Sequence, residues 1–271
     1  MMRTSAPADT ALAADIARIA VGSLYAELVL YPKPGLVSLV DNGSHTDMQA
    51  ATFMRSLFAL RHYFGHMMHA GRDDAPFSRL RTLGIAAEQR MLLATGGINT
   101  HRGAIFSIGL LCAAVGRASG QGLMLTPAAL RAVLLICWGE ALAGHAGSAG
   151  GAREEGALGL PSVFDVGLPA LQATLAAGRS MRHARVDALF ALMAHIDDTN
   201  VVHRGGTAGA SMVRRGARAF IDAGGTAHAG WMAEAVALHH AFIAARLSPG
   251  GAADLLAASC FVHSVCTRGA L

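Results

Sequence analysis

The residues of this chain best suited to chemistry lie in a few short polar segments: one lysine between prolines, two loops ending in His-Arg-Gly, and two adjacent aspartates. Charged residues make up only 15% of the chain, so such clustering exceeds ordinary surface decoration. Lys33, the only lysine, sits in Tyr31-Pro32-Lys33-Pro34-Gly35. A proline-braced turn is already rigid, so the ammonium loses little freedom on meeting a phosphate. An exposed lysine that merely follows a helix is the plainer reading. Asp41, His45 and Asp47 fall within seven residues ahead of a helix. They can supply a metal ligand, a general base or hydrogen bonds to a ribose; equally, Asp47 can cap the helix and Asp41-Asn42-Gly43 can form a turn.

Thr95-Gly96-Gly97-Ile98-Asn99-Thr100-His101-Arg102-Gly103 ends one helix with glycines and opens another with an arginine. That order offers free N–H groups, a helix dipole and a guanidinium to one anion. It has neither the Walker nor the Rossmann spacing. Asp197-Asp198-Thr199-Asn200 follows an apolar helix. Neighbouring carboxylates repel unless a cation or arginine intervenes, and magnesium accepts a few carboxylates together with phosphate oxygens. Solvated acids at a helix end are the alternative. The tripeptide His-Arg-Gly recurs 102 residues on, in Asn200-Val201-Val202-His203-Arg204-Gly205-Gly206, so two similar loops can face one site. The histidines 62, 66 and 69 have zinc-like helical spacing but no carboxylate partner, and read as a polar helix face.

The elements that position these loops are helices. Apolar residues recur at helical spacing over Ala11–Leu30, in Phe53, Leu57, Leu60 and Phe64, and in Leu80, Leu83, Ala87 and Met91. Gly103–Val115 is apolar on nearly every side and predicts a buried central helix. Thr126-Pro127 predicts a capped helix start, with further helices from Pro161, Arg182, Thr207, Trp231 and Ser248-Pro249. Strand-like alternation is nearly absent. The expectation is an all-α, single-domain globular bundle over residues 1–271, of roughly ten or more helices joined by Gly-rich loops, with 1–8 a flexible N-terminus. Gly144–Gly151 reads as a loop within that domain.

The hydrophobic fraction is 53% and the mean hydropathy +0.40. The uncharged runs fall short of the roughly 18–20 residues of a spanning helix, and no signal peptide is visible, so a cytoplasmic protein with no membrane partner is expected. The net charge of +4 comes without basic runs or interleaved aromatics, which argues against nucleic acid and for a small polyphosphate ligand. The four cysteines lack any C-x-x-C and read as buried thiols.

Several ordered motifs resemble the triphosphoribosyl-dephospho-coenzyme A synthase family, from about Glu27 to Leu256. They are Pro32-Lys33-Pro34-Gly35-Leu36-Val37, Gly43-Ser44-His45-Thr46-Asp47-Met48, Ala87-Glu88-Gln89-Arg90-Met91, the stretch Gly97 to Phe106, Asp198-Thr199-Asn200, Arg204-Gly205-Gly206 and Ser248-Pro249-Gly250-Gly251. Many relatives carry Lys at the position of Arg102, and Gly151 to Gly156 departs mildly from the family pattern, which leaves Glu154 and Glu155 without an assigned role. The resemblance implies an all-α enzyme that joins the triphosphoribosyl group of ATP to the ribose 2′-hydroxyl of 3′-dephospho-coenzyme A and releases adenine. Its product is the prosthetic-group precursor of malonate decarboxylase or citrate lyase, passed to a phosphoribosyl-dephospho-CoA transferase acting on an acyl-carrier subunit. On that reading Lys33, Arg102 and Arg204, with Gly96, Gly97, Gly205 and Gly206, cradle phosphates. Asn99, Thr100, His101 and Asn200 contact phosphate and ribose, and Asp197 and Asp198 hold Mg2+ on the triphosphate. Glu88 or Asp47, with His45 beside it, serves as general base. A homodimer is compatible with the low charge content. The competing readings are a magnesium-dependent ADP-ribosyl hydrolase-like N-glycosidase and a non-catalytic carrier of the coenzyme precursor.

Overall fold

The helical spacing resolves into twelve α-helices, and no strand, among the residues described by the computed structural model, 7–146 and 152–267. They are α1 (Pro7–Leu28), α2 (Ala50–Leu60), α3 (Tyr63–Arg72), α4 (Phe77–Thr95), α5 (Arg102–Gly120), α6 (Pro127–Ala146), α7 (Ala152–Ala157), α8 (Leu168–Ala176), α9 (Met181–His195), α10 (Thr199–Asp222), α11 (Trp231–Ala244) and α12 (Gly250–Thr267). A π-helical turn, Ser162–Gly167, leads into α8, and a 3₁₀ turn, Gly225–Ala227, precedes α11. Of the expected N-terminal tail, residues 1–6 lie outside the described residues and Pro7 already opens α1. Residues 147–151 of the expected Gly144–Gly151 loop also lie outside them, and Gly144 belongs to α6.

The core is contiguous and organised on α5 and α12. Helix α5 is buried along most of its length, as its uniformly apolar sequence requires. It crosses α3 so closely that a Cβ on Gly71 would lie 1.9 Å from the Ala113 carbonyl oxygen, and one on Gly116 1.9 Å from that of Met68. Glycine is the only residue that lets the two backbones approach so far. Met67, Met68 and Trp138 pack in the core, and the outer face of α3 carries His66. Cys112 and Cys260 are buried and Cys137 and Cys266 half-buried, all as free thiols.

Three expectations change. The face formed by Leu57, Leu60 and Phe64 is continuous but spans two helices, because the chain breaks at Arg61–His62 between α2 and α3. The helix expected from Thr207 begins eight residues earlier: Asp198 accepts the Asn200 N–H at 2.9 Å and caps α10, whose two halves meet at a kink on Gly206. Finally, α5 and the Pro127–Gly144 part of α6 are long and apolar enough to cross a membrane by length and composition, which counting only uncharged runs had missed. Helix α5 meets that test as the packed centre of the bundle; α6 leaves Ile136 83% exposed.

Candidate active site

Helices α5, α10 and α12 bring their N-terminal ends to one place, and carboxylates of the bundle tie those ends together. Asp198, already capping α10, also accepts the Ala252 N–H of α12 at 3.1 Å. Asp254, one turn into α12, accepts the Gly103 and Ala104 N–H groups that open α5. A Cβ on Gly103 would lie 2.2 Å from Asp254 Oδ2, so the contact requires glycine there. Asn99 Oδ1 accepts the Arg102 N–H at 3.1 Å and completes the start of α5. Three positive helix ends thus meet in one region, and the protein's own carboxylates sit against them.

Around this junction lie two adjoining lobes of space that share three lining residues. The large lobe, about 730 Å3, is bounded by α4, α5, α7 and the start of α10. It carries Arg81, Arg102 and Arg153, together with Glu88, Glu154, Glu155, Asp197 and Asp198. Its volume lies in the range of small-molecule sites. The small lobe, about 130 Å3, is bounded by the loop after α1 and the start of α12, with Lys33, His45, Phe53, Arg204 and Ser248 in its walls. Asn99, Asn200 and Asp254 line both lobes. The two His-Arg-Gly segments, the second of them within α10, both reach this space: Asn99 and Asn200 line both lobes, while Arg102 belongs to the large lobe and Arg204 to the small one.

The small lobe is held by long-range contacts. His239, 0% exposed, places Nε2 3.0 and 3.1 Å from the Asp41 carboxylate oxygens and Nδ1 2.9 Å from the Lys33 carbonyl. Asp41 thus anchors the loop to α11. Ser44 Oγ donates to the Leu247 carbonyl at 2.6 Å. His45 Nε2 meets Ser248 Oγ at 2.8 Å, and its Nδ1 lies 3.1 Å from Arg204 and 3.3 Å from Asp47. Arg204 can only donate to Nδ1 and Asp47 can only accept from it, so the two compete for that nitrogen. Burial and the Arg204 charge lower the His45 pKa, against the raising effect of Asp47.

Other expected site residues stand differently from a solvent-facing cradle. Lys33 is 1% exposed and its ammonium lies 2.5 Å from Glu27 Oε1, a buried ion pair in the wall of the small lobe. Burial lowers its pKa, against the raising effect of Glu27. His101 is buried, with Nδ1 2.7 Å from Ser56 Oγ, and lines neither lobe; burial holds it down at about 3. Thr100 lines neither lobe either. Gly96 is the left-handed C-cap of α4 (φ 70°), and the Gly97 N–H bonds Leu92 O at 2.7 Å, so these glycines end a helix away from both lobes. Gly205 packs against Leu247, and Gly206 (φ 60°) provides the kink in α10. Asp47 is exposed and lines neither lobe. Glu88 lines the large lobe, its Oε1 2.5 Å from Arg102 Nη2.

The adjacent aspartates diverge. Asp197 is 82% exposed by side chain and paired with Arg214, whereas Asp198 turns inward to cap two helices. Among the described residues, no group of three or more His, Cys, Asp or Glu side chains is gathered to hold a metal ion. The pair does not fit a resident magnesium.

Sequence reasoning assigned no role to Glu27, Ser248 or Asp254. Asp254 lies three residues beyond the Ser248-Pro249-Gly250-Gly251 motif, and its place on an apolar helix gives no sign that it faces two lobes. Burial, with the charges of Glu27 and Asp198 nearby, pushes its carboxyl well above the ordinary carboxylate range.

A family model described as ATP:dephospho-CoA triphosphoribosyl transferase matches residues 13–137 and 136–270. The chain is 40% identical over 265 residues to a 2-(5''-triphosphoribosyl)-3'-dephosphocoenzyme-A synthase of Pectobacterium atrosepticum, covering 90% of this chain and 86% of that one. Probable synthases of the same name come from Pseudomonas fluorescens strain Pf0-1, 40% identical over 98% of this chain and 96% of that one, and Acinetobacter calcoaceticus, 38% identical over 90% and 88%. No solved structure matches the chain.

Proposed function

The chain belongs to the ATP:dephospho-CoA triphosphoribosyl transferase family, and from that premise we propose that the site formed by its two adjoining lobes transfers the triphosphoribosyl group of ATP to the ribose 2′-hydroxyl of 3′-dephospho-coenzyme A, releasing adenine. The observation that carries the reading is the junction of the lobes. The base that leaves a carbon and the acceptor that replaces it need separate spaces meeting at a shared point, and Asn99, Asn200 and Asp254 mark such a point. The large lobe supplies Arg81, Arg102 and Arg153 for phosphates, each a fixed fork of N–H donors. Glu88, held by Arg102 in the same lobe, is the general base toward the acceptor hydroxyl; Asp47 acts only through His45. A site for this reaction must hold the triphosphate without cleaving it. Arginines suit that task, since they neutralise phosphate charge while offering no nucleophile.

Magnesium enters as the counter-ion of ATP, its ligands largely phosphate oxygens. The product serves malonate decarboxylase or citrate lyase, through a phosphoribosyl-dephospho-CoA transferase acting on an acyl-carrier subunit. The same proposal has the enzyme working in the cytoplasm as a homodimer.

The test is adenine release measured with and without dephospho-coenzyme A. Release that requires the acceptor is expected; equal release in its absence would identify an N-glycoside hydrolase, and tight binding with no release a carrier.

A further inference from the structure

Adenine leaves the anomeric carbon poorly as an anion and readily once protonated, so the reaction needs a place for the base and a proton for it. We propose that the small lobe receives the departing adenine and that Asp254 is the general acid that protonates it. This rests on the transferase reading given above.

Size and charge separate the lobes. The small one, about 130 Å3, has room for a heterocycle and not for a triphosphate. Its one ammonium, Lys33, is neutralised by Glu27 at 2.5 Å. Leu36, Val37, Met48 and Phe53 give it apolar walls, and Asn99, Asn200 and Ser248 offer hydrogen bonds to the edges of a base. Arg204 is turned toward His45 and the Ser44 carbonyl, where its guanidinium face can lie against a ring. The large lobe has three arginines and the greater volume, which suit phosphates.

With the base in the small lobe and the acceptor in the large one, the anomeric carbon sits at the junction, where Asp254 lines both. The acid is suited to carry a proton. Its hydrogen bonds come from the Gly103 and Ala104 N–H groups, and the charges felt beside it are the carboxylates of Glu27 and Asp198. No arginine or lysine forms an ion pair with it among the described residues. Burial and those two charges push its pKa well above the ordinary carboxylate range, outweighing the lowering effect of the two N–H groups.

The step balances. The bond from the anomeric carbon to adenine N9 breaks with its electron pair on the base, and the Asp254 proton passes to an adenine ring nitrogen. The acceptor 2′-oxygen forms the new bond to carbon, and its proton goes to Glu88. Solvent then returns that proton equivalent to Asp254.

The test compares ATP with a ribose triphosphate whose anomeric leaving group is 4-nitrophenolate, which departs without a proton. Under single-turnover conditions with dephospho-coenzyme A, Asp254→Asn should slow transfer from ATP by about 10²–10⁴-fold and from the nitrophenyl substrate by less than about tenfold. Equal losses on both substrates, or undiminished transfer from ATP, would overturn the proposal. Should the variant not fold, the wild type decides: a solvent deuterium isotope effect larger with ATP than with the nitrophenyl substrate supports the acid, and equal effects overturn it. Wild-type protein that forms no adduct from ATP would instead remove the transferase reading and the proposal with it.

Discussion

Lys33 shows how far a side chain's role depends on partners distant in space. Its place between prolines singles it out in the sequence, yet its ammonium meets Glu27 inside the protein. Removing one partner of a buried pair strands the other charge, at a cost of about 3–5 kcal/mol, while exchanging both for apolar residues is close to neutral. Glu27→Leu or Lys33→Met alone should therefore be strongly destabilising in urea titrations, and the double variant much less so; equal losses in all three would contradict a coupled pair. His101 supplies a pH-dependent counterpart. Its folded pKa of about 3 lies below the ordinary 6.5, so the unfolded chain binds more protons between those values. The stabilisation is present above pH 6.5 and is lost as pH falls toward 3, on the order of 5 kcal/mol in full. The raised carboxyls of Asp198 and Asp254 act with the opposite sign. The His101 contribution is thus read as the difference between wild type and His101→Gln: wild type should lose stability faster between pH 7 and 4, and parallel curves would show that His101 titrates normally. Residue types alone exposed the loops and their arginines. They did not expose Glu27, because a glutamate six residues before a lysine has no fixed relation to it until the intervening turn is built.

At the scale of elements, the sequence signals were strong wherever the physics is local. The apolar run of α5, the spacing along α4 and the Thr126-Pro127 start of α6, where Thr126 Oγ1 accepts the Ala129 N–H at 3.1 Å, were all readable. Signals were weak wherever a contact crosses the chain. Asp198 reads as a metal ligand or a helix end; that it also caps α12 depends on Ala252, 54 residues away. The glycines of the expected phosphate cradle end or kink helices, uses that leave the same sequence trace. The close crossing of α3 and α5 makes a sharper prediction. Gly71→Ala or Gly116→Ala places a methyl against a backbone carbonyl and should destabilise by about 1–3 kcal/mol or more through overpacking. Gly22→Ala, with nothing within 4 Å of the added carbon, should not. Thermal denaturation of the three variants checks this, and a Gly116→Ala protein as stable as Gly22→Ala would show that the helices can separate freely.

The whole molecule turns a set of scattered loops into one site by converging three helix starts and dividing the space around them into unequal lobes. The fold class followed from periodicity, since a chain with helical spacing almost throughout can only bury its apolar faces as a bundle. The division into lobes did not follow, because it depends on how α12 sits against α5 and α10. The central claim is that this space joins two substrates at the sugar carbon of ATP. Its most direct test is mass-resolved product analysis after incubating the protein with magnesium, dephospho-coenzyme A and ATP carrying ¹³C in its ribose. A coenzyme product that gains the labelled ribose and all three phosphates, with adenine in equal amount, is the predicted result. Adenine with labelled ribose triphosphate free in solution, or intact ATP in the presence of folded protein, would contradict it.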